Sequence, residues 1–272
     1  MDRIDIRGVE LEFAHIPGPK ERAPLVFLHE GLGSVSMWTQ RDRDWPRELC
    51  ATTGRAGWLY SRRGYGRSDP VADVRGEPRG GAFWHAGRHE PDYMHREAWH
   101  VLPELLQRLD VNRPVLIGHS DGASIALLHA SRCPVAACVV MAPHVFVEDI
   151  AVQAIDEARR LYEAGPAEKG LRQRLARHHA DVDNAFYQWN DVWLSPAFRR
   201  FDIRADCSTI QAPLLAVQGL NDEYGSLQQL REIEARVPGV QTLELASCGH
   251  SPHRDQPEQL TSAIAGFLNN VR

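Results

Sequence analysis

Ser120 lies between two glycines in Gly118-His119-Ser120-Asp121-Gly122. A serine hydroxyl is a weak nucleophile alone. It gains reactivity when a base takes its proton and when backbone N–H groups at a helix start can hold the oxyanion formed on attack at a carbonyl. The pentapeptide follows the apolar run Pro114-Val115-Leu116-Ile117 and precedes an Ala-rich stretch beginning near Ser124. That is the strand-turn-helix setting in which G-x-S-x-G forms a nucleophile elbow. An ordinary glycine-bounded turn would carry the same letters, so the remaining chemistry must come from elsewhere in the chain.

A base and a carboxylate to orient it are expected further along, each on a loop leaving the C-terminal end of a strand. Gln218-Gly219-Leu220-Asn221-Asp222 follows the apolar run 213–217, and Asp222 is the candidate carboxylate, with Glu223 its neighbouring rival. Ser247-Cys248-Gly249-His250-Ser251-Pro252-His253 follows the run 242–245. His250, placed after a glycine directly off the strand, is the candidate base, and His253 is its rival. An oxyanion site needs one N–H just after the nucleophile and one from the loop after the first parallel strand. The backbones of Asp121 and of Gly31, in His29-Glu30-Gly31-Leu32-Gly33, are the candidate donors.

The elements that must position these residues are legible as patterns. Residues 4–16 alternate apolar and polar around Arg7-Gly8, predicting two short antiparallel strands. The runs at 24–29, 57–60, 114–118, 135–141 and 213–217 are largely apolar, as expected of strands buried on both faces, and 242–245 reads as one further strand. Helices are predicted at about 35–50, 93–109, 124–131 and 227–237 and from 257 onwards. Trp99, Leu102, Leu105, Leu106 and Leu109 share one side of the second. The alternation predicts an α/β fold with a mostly parallel sheet covered on both faces. It stops between 144 and 208, which read as a helical insertion. Residues 61–70 and the Gly-, Pro-, Arg- and His-rich stretch 71–90 read as loops.

Composition narrows the function classes. The 272 residues are 43% hydrophobic and 25% charged, with a formal net charge of -5. No apolar run approaches the roughly 20 residues that span a bilayer, so no membrane segment is expected. The charge balance gives no basic surface for nucleic acid. The first ten residues lack the basic start and apolar stretch of a signal peptide, and five cysteines form no C-x-x-C pair. Both observations favour a reduced, cytoplasmic setting with the cysteines as small buried residues.

The chain resembles the α/β-hydrolase superfamily, in particular its cap-bearing branch of esterases, meta-cleavage-product hydrolases, cofactor-free haloperoxidases and proline iminopeptidases. The likeness rests on His29-Glu30-Gly31-Leu32-Gly33, on Arg63-Gly64-Tyr65-Gly66-Arg67-Ser68, on the elbow, on Gly219 with Asp222, and on Gly249-His250. It implies an α/β-hydrolase core of residues 1–143 and 209–272 and a helical cap or lid of residues 144–208, inserted after the sixth strand. Glu30 departs from the usual Gly of that branch's H-G-x-x-G loop, which puts a carboxylate near the site. Serine at 120 also separates the chain from relatives that carry Asp as nucleophile.

The expected reaction is acyl transfer to water on a small carboxylic ester or related carbonyl substrate, with no cofactor and no metal. Tyr187, Trp189, Trp193 and Phe198 are candidates for an apolar pocket under the cap, against the alternative of simple packing, and Trp189 and Trp193 are the preferred pair. Two other functions remain open. One is carbon–carbon hydrolysis of a ring-cleavage product, with Arg159, Arg160 or Arg177 holding a substrate carboxylate or enol. In the group that does so, the resemblance implies Asn where His119 stands. The other is a ligand receptor on a hydrolase fold. The histidines His85, His89, His95, His100, His178 and His179 match no zinc spacing. Arg62, Arg63 and Arg67 are read as a solvated loop rather than an anion site.

Overall fold

The computed structural model describes residues 2–40, 42–77, 87–164, 170–269 and 271. Eight strands form one sheet: β1 (Asp2–Ile6), β2 (Val9–Ile16), β3 (Leu25–Leu28), β4 (Gly57–Tyr60), β5 (Val115–His119), β6 (Ala137–Met141), β7 (Leu214–Gly219) and β8 (Gln241–Leu245). Their spatial order is β1-β2-β4-β3-β5-β6-β7-β8. β1 pairs antiparallel with β2 and β2 with β4, while every pairing from β4 to β8 is parallel. The β1–β2 turn has φ of 57° at Arg7 and 78° at Gly8, the pair of positive values that a two-residue hairpin needs to match strand twist.

The central parallel strands β3, β5, β6 and β7 are buried on both faces because successive side chains enter different cores. Val26 and Leu28 of β3, Leu116 of β5, Cys138 and Val140 of β6, and Leu214 and Ala216 of β7 pack into one core. Leu25 and Phe27, Val115 and Ile117, Val139 and Met141, and Leu215 and Val217 pack into the other. The first core is closed by helix Asp121–Ala130 and by the helical run that ends in Leu102–Arg108. The second is closed by helices Trp45–Thr53 and Pro257–Leu268.

Two helices differ from the sequence reading. The helix expected at 35–50 is a 3-10 turn Val35–Trp38, a tight pairing of Thr39–Gln40 with Arg43–Asp44, and then helix Trp45–Thr53. Pro46 has no N–H to give to a preceding turn, so a helix running on from residue 35 is broken and a new one starts with the proline in its first turn. The Asp44 side chain caps it, accepting from the Arg47 N–H at 3.2 Å. The run at 93–109 passes through a π turn at Glu97–Val101 before continuing as Leu102–Arg108. Pro103 again removes the donor that an unbroken α register would use.

Between β6 and β7 the described residues form helices Asp149–Glu163, Leu171–Leu175, Val182–Trp193 and Arg204–Cys207 with a 3-10 turn Phe198–Arg200. A bridge between Phe146 and Asp202 and a hydrogen bond from the Ile203 N–H to the Val145 carbonyl at 2.8 Å join the two ends of this excursion. Among the described residues, no helix is long and apolar enough to cross a membrane. All five cysteines are free, and Cys133 is the one that is not buried.

Candidate active site

The turn after β5 holds Ser120 at φ 53° and ψ −117°. A non-glycine residue held there costs of order 1–3 kcal/mol, which the surrounding structure must offset. The flanking glycines explain how the turn is held. A methyl group on Gly122 would enter the space of the Leu28 carbonyl, and one on Gly118 would meet the backbone of Gly122 and Ala123. β3, β5 and the helix therefore approach more closely than any side chain would permit. The Ser120 N–H donates to the Met141 carbonyl at 2.9 Å, tying the turn to β6.

The three separated candidates meet at this turn. His250 Nε2 lies 2.9 Å from Ser120 Oγ, and His250 Nδ1 lies 2.8 Å and 2.9 Å from the two Asp222 carboxylate oxygens. A carboxylate only accepts, so Nδ1 carries the proton, and Nε2 of the neutral ring accepts from the serine hydroxyl. Asp222 is held in turn: Oδ1 accepts from the Tyr224 and Gly225 N–H groups at 2.8 and 3.2 Å, and Oδ2 accepts from Gln218 Nε2 at 2.6 Å. Gln218 carries no motif, and only its position four residues before Asp222 hints at it. The rivals are not part of this line. Glu223 accepts from the His250 backbone N–H at 3.2 Å. His253 is buried among Trp38, Trp45 and His119.

Electrostatics follow this geometry. Burial acts to lower the His250 pKa, but the hydrogen bond and charge of Asp222 outweigh it and leave the imidazole above its ordinary value. Burial acts to raise Asp222, and its bonds from His250 and the Tyr224 amide bring it below the usual carboxylate range. His144, also beside the cavity, is pushed down to about 3 by burial and by the nearby His250, so its ring stays neutral.

Ser120 and His250 open on a cavity of about 740 Å³, also lined by Glu30, Gly31, Met37, Trp189 and Tyr224. Its size falls within the range of small-molecule sites. Gly31 is pressed against Trp189, whose indole occupies the space a side chain at 31 would need. Among the described residues, neither the Gly31 nor the Asp121 backbone N–H makes a hydrogen bond. Trp193 lines the cavity as well, but its N–H is committed to Tyr93 Oη at 3.1 Å and Asp121 Oδ1 at 3.3 Å.

Other side chains are placed differently from expectation. Phe198 is packed against Trp193 and Phe201, and Tyr187 lies under Arg75, so neither reaches this cavity. Arg159 is tied to Asn190 and Asp191 and Arg160 to Asp156 and Glu157, whereas Arg177 lines the cavity. Arg62 is 2% exposed and not solvated, because its head group finds backbone carbonyls that no local pattern reveals. Of the histidines, His178 meets Ser36 and also lines the cavity, His89 stacks on Tyr93, and His179 bridges Gly66 and Leu32. His85 lies outside the described residues.

An eight-stranded, mostly parallel sheet with a serine on a strained strand-helix turn and a histidine and a carboxylate on later strand ends defines an α/β-hydrolase. The chain belongs to the Alpha/beta hydrolase family, whose profile matches residues 25–263, and so to a family of hydrolase enzymes. It is similar to the sn-1-specific diacylglycerol lipase ABHD11 of Mus musculus, 23% identical over 293 residues that cover 98% of this chain and 88% of the mouse protein. Among solved structures it is similar to a bacterial membrane phospholipase A described as a virulence factor, with a TM-score of 0.74, 17% identity and coverage of 100% of this chain and 86% of that one. The enol-lactonase from Burkholderia xenovorans LB400 matches with a TM-score of 0.72 and 18% identity, covering 99% of this chain and all of that one (100%).

Proposed function

We propose that this protein is a serine hydrolase that cleaves a small carboxylic ester through an acyl-enzyme. The observation that carries the reading is the continuous hydrogen-bonded line from Ser120 Oγ through His250 to Asp222 at the wall of the cavity. His250 Nε2 takes the serine proton as Oγ bonds to the carbonyl carbon. The carbonyl electron pair moves onto oxygen, where the Gly31 and Asp121 amides receive it. Collapse breaks the bond to the alcohol oxygen, which leaves with the proton from His250. Water, deprotonated by the same nitrogen, then attacks the acyl-serine and releases the acid and the free hydroxyl. Asp222 keeps the tautomer and stabilises the imidazolium. No step requires a cofactor.

In this reading residues 144–208 form the cap over a core of 1–143 and 209–272, and Trp189 of the cap lines the cavity against Gly31. The lipase relatives support an ester as the bond cleaved. The test is a burst experiment with p-nitrophenyl butyrate, with mass measurement of the intact protein. A stoichiometric burst and a butyryl adduct, both absent in Ser120→Ala, are expected. Undiminished turnover in Ser120→Ala would reject Ser120 as nucleophile. Inertness of the native chain toward esters, with turnover of a ring-cleavage product, would favour carbon–carbon hydrolysis.

A further inference from the structure

A buried guanidinium needs acceptors in a forked arrangement and a countercharge. Arg62 finds both between the two halves of the proposed oxyanion site. Nη1 donates to the His29 carbonyl at 2.6 Å and Nη2 to the Glu30 carbonyl at 2.8 Å. Nη2 also lies 3.8 Å from Asp121 Oδ2. The Arg62 backbone N–H donates to His29 Nε2 at 3.0 Å, which leaves the proton on His29 Nδ1, 2.7 Å from the Glu30 carbonyl. Asp121 is itself held by Tyr93 Oη and by the Trp193 N–H.

The Glu30 carbonyl and the Gly31 N–H belong to one planar trans peptide unit and point in opposite directions. Whatever fixes that carbonyl therefore aims that N–H. Three donors converge on it: Arg62 Nη2, His29 Nδ1 and, at 3.1 Å, the Gly33 N–H. Arg62 is the one that also reaches the first residue of the elbow helix.

We infer that Arg62 is a positioning residue, whose guanidinium ties the peptide carrying the Gly31 N–H to the elbow carrying the Asp121 N–H and so sets the spacing of the two oxyanion donors. This rests on the proposed serine-hydrolase reading. Through Trp193, the same link extends to helix Val182–Trp193.

Two variants test the inference. Arg62→Lys keeps the charge but cannot fork across two carbonyls, and Arg62→Met with Asp121→Asn removes both buried charges together. Each is compared with the native chain for kcat and KM on p-nitrophenyl butyrate, for inhibition by an alkyl trifluoromethyl ketone that adds to serine as an oxyanion, and for its circular dichroism. For folded variants, kcat and ketone affinity should fall in parallel by roughly 10- to 100-fold, less than the loss of a whole oxyanion donor. KM should stay in place in Arg62→Lys, since Arg62 does not line the cavity, and the acid limb of the pH profile in both variants, since His250 is untouched. Folded variants that retain native kcat and ketone affinity would overturn the role of Arg62 while leaving the hydrolase reading intact. Loss of fold in both would make Arg62 a structural strut and equally overturn it. A native chain that neither cleaves the ester nor binds the ketone would remove the hydrolase reading and this inference with it.

Discussion

His250 Nδ1 is nearly equidistant from the two Asp222 carboxylate oxygens, at 2.8 and 2.9 Å, while Nε2 faces Ser120 Oγ at 2.9 Å. This places the imidazole between a fixed negative charge and a neutral hydroxyl, and its raised pKa follows from that asymmetry. Catalysis in the proposed mechanism needs the neutral ring. The profile of kcat/KM against pH should therefore rise through an apparent pKa above the ordinary 6.5 of histidine. Asp222→Asn should shift that limb downward and reduce kcat by roughly 10⁴-fold. A limb that stays in place in Asp222→Asn would dissociate Asp222 from the titration. For stability the sign is the reverse. Because the folded pKa is raised, the His250–Asp222 contribution is full below the unfolded value and fades as pH rises through the folded one.

Gly122 lies in the first turn of a helix, where replacing glycine by alanine would ordinarily stabilise by up to about 1 kcal/mol. Its α-hydrogen instead faces the Leu28 carbonyl. Gly122→Ala should destabilise, by about 1–3 kcal/mol as for other overpacked cores. Urea unfolding followed by tryptophan fluorescence gives the sign, and a gain in stability would contradict the close approach of β3 to the elbow helix.

A side chain on Gly31 would collide with Nε1 and Cδ1 of Trp189. Gly31→Ala should therefore lower kcat/KM by about 10-fold or more through displacement of the loop. Trp189→Ala, which removes the indole, should restore part of it. A double-mutant cycle measures this coupling, and strictly additive effects would mean that the two residues are not in contact.

His179 Nδ1 accepts from the Gly66 N–H at 2.9 Å, and Nε2–H donates to the Leu32 carbonyl at 3.0 Å. The Nδ1 bond needs the neutral ring, and burial pushes the pKa down to about 4 although the Leu32 carbonyl acts to raise it. The unfolded chain thus binds a proton that the folded one refuses between about pH 6.5 and 4, and stability falls as pH falls through that window. His179→Gln should reduce the slope of stability against pH there by up to about 1.4 kcal/mol per unit. An unchanged slope would show that His179 titrates normally.

Much of this was written locally in the chain. Alternating patterns and continuous apolar runs marked every strand of the sheet, because period-2 alternation between two cores is a property of consecutive residues. Gly118 and Gly122 marked the elbow for a similar reason: only glycine allows that approach. The order Ser120, Asp222, His250 and their places after strands were also visible in one dimension. The rest depended on partners far apart in sequence. Arg62 lies in a stretch rich in arginine and glycine and reads as a solvated loop until the fold sets it 33 residues away against His29. Trp193 lines the cavity, but the capture of its N–H by Asp121, 72 positions distant, is invisible in the chain. Gln218 gains its role once the chain turns its loop back to offer Asp222 Oδ2 at 2.6 Å. Side-chain type and local periodicity determine which faces are buried and where the chain turns. The pairing of buried polar groups is decided by tertiary packing, since each must find an acceptor or donor wherever the fold leaves one within reach.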